Sequence, residues 1–157
     1  MDRALLRALR TRGHAPAAEK AVLLFTRSGE HGLLWLVGSA AGAALDGARR
    51  PLYLRSIRVV AGAYLTNIAM KYAVRRKRPV LDGLPALSST VTSLSYPSAH
   101  STTSFAAARV LSRELPAAPL YACAAAMALS RIYAGVHYPT DIAAGAALGT
   151  AMTELIP

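Results

Sequence analysis

Residues 130–141 combine a histidine, an aspartate and an arginine at a spacing that suits nucleophilic catalysis. Pro139 is a favourable first residue for a helix, which would place Asp141 in the first turn, four residues after His137. At that separation the carboxylate can orient one imidazole nitrogen and leave the other as a nucleophilic lone pair. Arg131 adds a fixed positive charge. The simpler alternative is that Asp141 complements the helix dipole and pairs with Arg131.

A second histidine, His100, lies in residues 96–101, directly before a pattern that predicts a helix. A helix that begins here would direct its unpaired backbone N–H groups and the positive end of its dipole at a nearby anion. The segment therefore predicts a phosphate-binding position. The alternative for His100 is a capping or hydrogen-bonded structural histidine.

Two further cations, Lys71 and Arg78, lie seven residues apart and so fall on the same side of a helix, two turns from each other. Pro79 disfavours a helical conformation at Arg78, which predicts that the helix ends there and frees the guanidinium to turn toward a ligand. Taken alone, this segment is better explained as a positive-inside membrane anchor at a helix end. The basic run 75–78 lacks an aromatic stacking pattern, so nucleic-acid binding is not expected.

The elements that must position these side chains are predicted to be helices of one domain, residues 1–157, with no strand pattern. A basic, amphipathic segment at 2–28, broken near Pro16, is expected to lie along a membrane surface. A bundle of about five helices at 31–156 follows it. The predicted helices cover 31–46, 52–76, 98–113, 116–136 and 139–156, with a long loop at 79–97.

The composition favours a membrane location for this all-α fold. Hydrophobic residues make up 54% of the chain, yet its formal net charge is +10. Soluble domains seldom show this combination, whereas apolar helices facing lipid, with Lys and Arg near anionic headgroups, explain both values. The chain is therefore predicted to be an integral-membrane bundle, although no uncharged stretch reaches the roughly 18 residues of an unambiguous spanning helix.

Taken together and in order, the three segments resemble the signature of the type 2 phosphatidic acid phosphatase superfamily. That signature is K-x6-R-P, then P-S-G-H, then S-R-x5-H-x3-D. Ala99 departs from it, because the family usually has Gly at this position. The matching residues are Lys71, Arg78, Pro79, Pro97, Ser98, His100, Ser130, Arg131, His137 and Asp141.

The resemblance implies phosphate transfer through a phosphohistidine. His137, oriented by Asp141, would be the nucleophile, and His100 would be the acid and then the base. Five positions would hold the phosphate: Lys71, Arg78, Ser98, Ala99 and Arg131. No metal or other cofactor is expected, because three cations surround the phosphate and no carboxylate cluster is available to bind Mg²⁺ or Zn²⁺.

The small bacterial members of this family that act on polyprenyl-linked phosphates are similar to this chain in size. The expected substrate is a phosphomonoester on a polyprenyl-linked lipid, with decaprenylphosphoryl-5-phosphoribose considered in particular. One alternative is a polyprenyl diphosphate phosphatase that recycles the carrier lipid, and another is a non-catalytic protein that binds lipid phosphates. The resemblance to these bacterial members implies an integral protein of the bacterial inner membrane, and the distribution of Lys and Arg favours a cytoplasmic site. No pattern indicates an oligomeric state.

Overall fold

The computed structural model describes residues 2–157, which fold into seven α-helices and two short 3-10 helices at Glu30–Gly32 and Gly47–Arg49. Within these residues, the one β-type pairing is an isolated bridge between Lys77 and Leu94. The all-α prediction is therefore confirmed, and the five predicted bundle helices are each found within three residues of their expected ends. The helices are α1 Asp2–Arg10, α2 Pro16–Ser28, α3 Leu33–Leu45, α4 Arg50–Val74, α5 Ala99–Leu111, α6 Ala117–Tyr133 and α7 Pro139–Leu155.

Helix α5 is the centre of the bundle and packs most extensively against α7, α4 and α6. Its side chains are short, and most of them are buried around the whole circumference of the helix. The buried hydroxyls of Thr102 and Thr103 donate to carbonyls one turn earlier, at 3.0 Å, so this polar helix is satisfied internally. Its first turn is therefore held firmly where the predicted phosphate site begins.

Close packing between α5 and α7 depends on glycine. A Cβ at Gly145 would lie 2.6 Å from the carbonyl oxygen of Ser98, the residue that precedes α5. A Cβ at Gly149 would collide with the carbonyl oxygen of Thr102. Small residues let two helix backbones approach in this way, so α7 can hold Asp141 against the start of α5.

The end of α4 differs from the prediction. The helix ends at Val74, where Arg75 adopts a left-handed conformation with φ of 55° and donates its backbone N–H to the carbonyl of Lys71. Left-handed C-caps of this kind end many helices. Lys71 and Arg78 therefore do not share a helix face, and Arg78 reaches the site from the loop that follows.

The N-terminal segment forms two helices that break before Pro16, as predicted. Leu6 of α1 is fully buried, so α1 packs on the bundle. The guanidinium of Arg3 donates to Val80 (3.2 Å), and that of Arg10 donates to Pro85 (3.0 Å), both in the long loop. The N-terminal segment and this loop therefore lie at the same end of the bundle.

No helix in residues 2–157 is both long enough and apolar enough to cross a bilayer.

Candidate active site

Three of the predicted segments meet at a cavity of about 430 Å³. Six of the eight predicted site residues line it: Lys71, Arg78, Ala99, His100, Arg131 and His137. The other two, Ser98 and Asp141, are fully buried behind its wall. Residues from three distant segments are therefore close together in the fold, as the sequence pattern required.

His137 lies in the turn between α6 and α7 and is only 2% exposed. Its Nδ1 is 3.5 Å from Oδ2 of Asp141, a distance for electrostatic attraction rather than for a full hydrogen bond. Its Nε2 is 3.2 Å from Nη1 of Arg78, which can only donate. We therefore assign the proton to Nδ1 and the lone pair to Nε2, the arrangement that a nucleophilic histidine requires.

The environment of His137 keeps the imidazole neutral. Burial is the largest cause, and the charges of Arg78, Arg131 and Lys71 act in the same direction. Attraction to Asp141 opposes them, but the pKa of His137 is still lowered from 6.5 to about 3. At neutral pH the lone pair of His137 is therefore available to attack.

Arg78 is fixed by the loop that delivers it. Its Nε donates to the carbonyl of Thr92, and its Nη1 donates to the carbonyl of Val136, both at 2.8 Å. Burial lowers the pKa of Arg78 from 12.5 to about 10, with a partial offset from Asp141. The guanidinium therefore remains charged at neutral pH and is oriented toward His137.

Lys71 approaches from the last turn of α4 and is buried. Its Nζ donates to the carbonyl of Pro97 at 2.7 Å, just before the first turn of α5. Asn67, one turn earlier, donates to the same carbonyl at 3.2 Å and to the hydroxyl of Thr102 at 2.9 Å. The two side chains thus tie α4 to the start of α5.

Thr26 of α2 holds the opposite side of the site. Its hydroxyl accepts a hydrogen bond from Nη1 of Arg131 at 2.8 Å, and its carbonyl accepts one from Nε2 of His100 at 3.0 Å. The second bond puts the proton of neutral His100 on Nε2. Nδ1 of His100 is then the nitrogen that can gain and release a catalytic proton.

Ser98 has a different position from the one predicted. It is the N-cap residue of α5, and its hydroxyl faces the backbone N–H of Ser101 at 3.5 Å. The side chain is fully buried and is not part of the cavity wall. Ala99 does line the cavity, so the start of α5 reaches it although the Ser98 hydroxyl does not.

Sequence reasoning missed several residues. Thr26 carried no sequence signal, because one threonine in an amphipathic helix has no distinguishing spacing. Arg76 was part of the basic run, but nothing separated it from its neighbours, although its Nη1 donates to Oδ1 of Asp141 at 2.8 Å. Glu30 and Tyr64 also line the cavity, and only the tertiary structure brings them there.

Within residues 2–157, no group of three or more His, Cys, Asp or Glu side chains has the arrangement of a metal site. In this part of the chain, three cations, Lys71, Arg78 and Arg131, line the cavity against one carboxylate, that of Glu30. This excess of positive charge suits an anionic ligand.

Comparison with known proteins agrees with this geometry. A family model described as the PAP2 superfamily matches residues 52–157. The chain is 42% identical over 122 residues to a decaprenylphosphoryl-5-phosphoribose phosphatase of Mycolicibacterium smegmatis, over 74% of this chain and 65% of that protein. It is 37% identical over 132 residues to the protein of the same name from Mycobacterium tuberculosis, over 82% of this chain and 72% of that one. The matches thus span 65% and 72% of the length of these relatives.

Two crystal structures have a similar fold. One is LpxE of Aquifex aeolicus, with a TM-score of 0.76 and 21% identity, covering 98% of this chain and 93% of that one. The other is a transmembrane PAP2 type phosphatidylglycerolphosphate phosphatase of Bacillus subtilis, with a TM-score of 0.76 and 25% identity. That match covers 99% of this chain and 82% of the other. Both likenesses include the N-terminal helices that lie before the family match.

Proposed function

The chain belongs to the PAP2 superfamily, and from this premise we propose that it is a lipid phosphate phosphatase that works through a phosphohistidine. The observation that carries the proposal is one cavity lined by His137, His100 and three cations. Of these cations, Lys71 and Arg131 are buried and Arg78 is partly buried. No single segment of the chain could supply this set. The phosphatase names of its relatives support the same reaction class.

In the first step, Nε2 of His137 forms a bond to phosphorus. The bond between phosphorus and the leaving oxygen breaks, and that oxygen keeps the electron pair and takes a proton from Nδ1 of His100, which must gain this proton when the negatively charged phosphate binds beside it. Arg78 currently donates to the same Nε2 at 3.2 Å, so its N–H must turn to a phosphate oxygen when substrate binds. Asp141 stabilises the positive charge that develops on the imidazole.

In the second step, water attacks the phosphorus and gives a proton to His100, now a base. The nitrogen–phosphorus bond breaks, its electron pair returns to His137, and inorganic phosphate leaves. Lys71, Arg78 and Arg131 hold the phosphate oxygens throughout. Fixed donors of this kind need no rearrangement as charge develops, and each is typically worth about 2.7–4 kcal/mol.

The substrate we propose is a phosphomonoester on a polyprenyl-linked sugar, such as decaprenylphosphoryl-5-phosphoribose. Glu30 favours this over a polyprenyl diphosphate, because it is the one carboxylate that lines the cavity within the described residues. Its negative charge opposes a second phosphate next to the first, whereas a carboxylate readily accepts hydrogen bonds from sugar hydroxyls. The names of the two relatives support the same choice.

We also propose that the bundle lies in the bacterial inner membrane, with the N-terminal segment along its surface and the site on the cytoplasmic side. Large apolar side chains are exposed on four bundle helices, including Leu33, Leu65, Leu129 and Leu155, and such surfaces are usually covered. The end of the bundle that carries the long loop also carries the basic N-terminal segment and the 71–78 cluster. That distribution fits the positive-inside bias.

The test is release of inorganic phosphate by purified protein in detergent or vesicles. A polyprenyl phosphoribose, a polyprenyl diphosphate and phosphatidic acid are compared side by side. We expect the phosphoribose to have the highest kcat/KM. His137→Ala should abolish turnover, and His100→Gln should reduce it by about 10²–10⁴-fold, the usual contribution of a general acid.

His14→Gln is the matched control, because His14 is outside the cavity and contacts Glu19 and Tyr133 instead. A preference for the diphosphate would favour the carrier-lipid alternative. Tight binding of lipid phosphates with no phosphate release, in wild type and His137→Ala alike, would instead support a non-catalytic binding protein.

A further inference from the structure

Arg76 makes more polar contacts near the site than any role in binding phosphate explains. Its Nη1 donates to Oδ1 of Asp141 at 2.8 Å and to the hydroxyl of Thr140 at 2.7 Å. Its Nη2 donates to Oδ2 of Asp2 at 2.7 Å, and the guanidinium lies 4.0 Å from the ring centre of Tyr138. Arg76 does not line the cavity, so it acts on the site through other residues.

The most consequential of these contacts is with Asp141, whose carboxylate is fully buried. Its Oδ2 accepts the backbone N–H of Tyr138 at 2.9 Å and faces Nδ1 of His137. Its Oδ1 is held by Arg76. Because the two oxygens have separate partners, rotation of the carboxylate is restricted and Oδ2 stays directed at His137.

Arg76 is in turn held from the N-terminal helix. Asp2 accepts from Arg76, and its two oxygens also accept from the backbone N–H of Thr140, at 3.2 Å, and from the Thr140 hydroxyl. The start of α1 is therefore bonded both to Arg76 and to the first turn of α7. Burial of Leu6 holds the rest of α1 against the bundle.

We propose that Arg76 is a positioning residue that fixes Asp141 against His137, and that Asp2 of the N-terminal helix holds Arg76 in place. The inference rests on the proposed function, because it assigns a part in the same reaction. It makes α1, which lies outside the family match at 52–157, part of the catalytic machinery.

The charges around His137 give the network a pH signature. The imidazole is faced by Lys71 of α4, His100 of α5, Arg131 of α6, Asp141 of α7 and Arg78 of the loop. Without the cation of Arg76, the charge of Asp141 is no longer partly neutralised, while the backbone N–H of Tyr138, 2.9 Å from Oδ2, still holds that oxygen near His137. The carboxylate therefore attracts a proton on His137 more strongly. The pKa of His137 should rise, which moves the acid limb of kcat/KM to higher pH.

The experiment compares Arg76→Gln with Arg75→Gln, two identical changes at adjacent positions. Arg75 is exposed and bonds its Nε to the carbonyl of Tyr72, with no contact to Asp141. We expect Arg76→Gln to lower kcat/KM by about 10–100-fold at neutral pH, as for other misplaced catalytic groups. Arg75→Gln should stay within about twofold of wild type, a usual result for an exposed position.

Asp2→Asn tests the second half of the proposal. It should lower kcat/KM less than Arg76→Gln does, because Arg76 keeps its bond to Asp141. The double variant should have the same kcat/KM as Arg76→Gln alone, since Asp2 acts through Arg76. Additive losses would show that Asp2 acts independently.

If Arg76 had a purely structural role, its loss would lower activity without moving the acid limb of the kcat/KM profile. An acid limb at the same pH in Arg76→Gln and wild type would therefore overturn the inference. A second readout does not need turnover. The carboxyl ¹³C signal of Asp141, assigned with Asp141→Asn, should shift in Arg76→Gln and stay in place in Arg75→Gln. If wild type releases no phosphate but this signal shifts, the proposed function fails and the positioning contact stands; an unshifted signal refutes the contact itself.

Discussion

Thr26→Val is the sharpest test of how the N-terminal helices support the site, because it removes one hydroxyl with almost no change in shape. That hydroxyl is fully buried and accepts from Nη1 of Arg131 and from the hydroxyl of Ser130, both at 2.8 Å. The carbonyl of Thr26 is unaffected, so His100 keeps its bond at 3.0 Å. The substitution therefore acts on Arg131 and leaves His100 in place.

The expected magnitude follows from which donor loses its partner. Ser130 is also 2.6 Å from the carbonyl of Met127, so its single proton can go there at little cost. Arg131 has no such substitute, and its buried Nε already lacks a partner within the described residues. A hydrogen bond to a charged group is worth about 1.5–3 kcal/mol, and we expect Thr26→Val to lower the free energy of unfolding by that amount.

Activity should fall as well, because Arg131 keeps its charge but loses the contact that orients it. We expect kcat/KM to decrease by about 10–100-fold. Denaturant unfolding in detergent and phosphate release measure the two effects. Thr150→Val is the matched control, since the Thr150 hydroxyl is exposed and bonds only within its own helix. Equal stability and activity in the two variants would refute the assignment of Arg131 to Thr26.

Two further predictions concern acid stability and helix packing. Burial lowers the pKa of His137 in the folded protein to about 3, against an ordinary value of 6.5. Between these two pH values, the unfolded chain binds a proton at His137 that the folded protein does not bind. Stability contributed by the neutral form is present above pH 6.5 and is lost as the pH falls toward 3. Between pH 7 and pH 5 the free energy of unfolding should fall by about 2 kcal/mol because of this group. Unfolding curves of His137→Gln should not show this part of the pH dependence. Equal pH dependence in the variant and the wild type would contradict the prediction. Gly149→Ala should lower the midpoint of thermal unfolding by several degrees, because its Cβ would collide with the carbonyl of Thr102. Gly38→Ala, with nothing within 4 Å of the added Cβ, should leave the midpoint unchanged or raised.

The order of helices could be predicted from the sequence because it depends on local signals. Pro139 begins α7 and puts Asp141 in its first turn, as predicted, and α5 begins at Ala99, one residue after the predicted start. The end of α4 was wrong by a few residues. The prediction used the restriction that Pro79 places on its neighbour, whereas the left-handed conformation of Arg75 ended the helix first. Arginine is uncommon in that conformation, so the residue type at position 75 does not predict the end of the helix there.

Six of the residues that line the cavity were also within reach of the sequence, because the three ordered motifs predicted them. The positions of Ser98, Thr26 and Arg76 were not. Ser98 has the residue type of a phosphate ligand, yet it caps α5 behind the cavity wall. Whether a hydroxyl caps a helix or faces a ligand depends on a rotation of the backbone, which residue type does not reveal.

The sequence by itself determined the helices, the proposed reacting groups and the excess of positive charge, because helix signals and motif spacings act over a few residues. Only the tertiary structure decided which groups support the reacting ones. Thr26 is 105 residues from Arg131, and Asp2 is 74 residues from Arg76. Contacts over such separations form only when the packing of α5 against its neighbours is complete, and the packing of short side chains and glycines leaves no periodic pattern from which they could be foreseen.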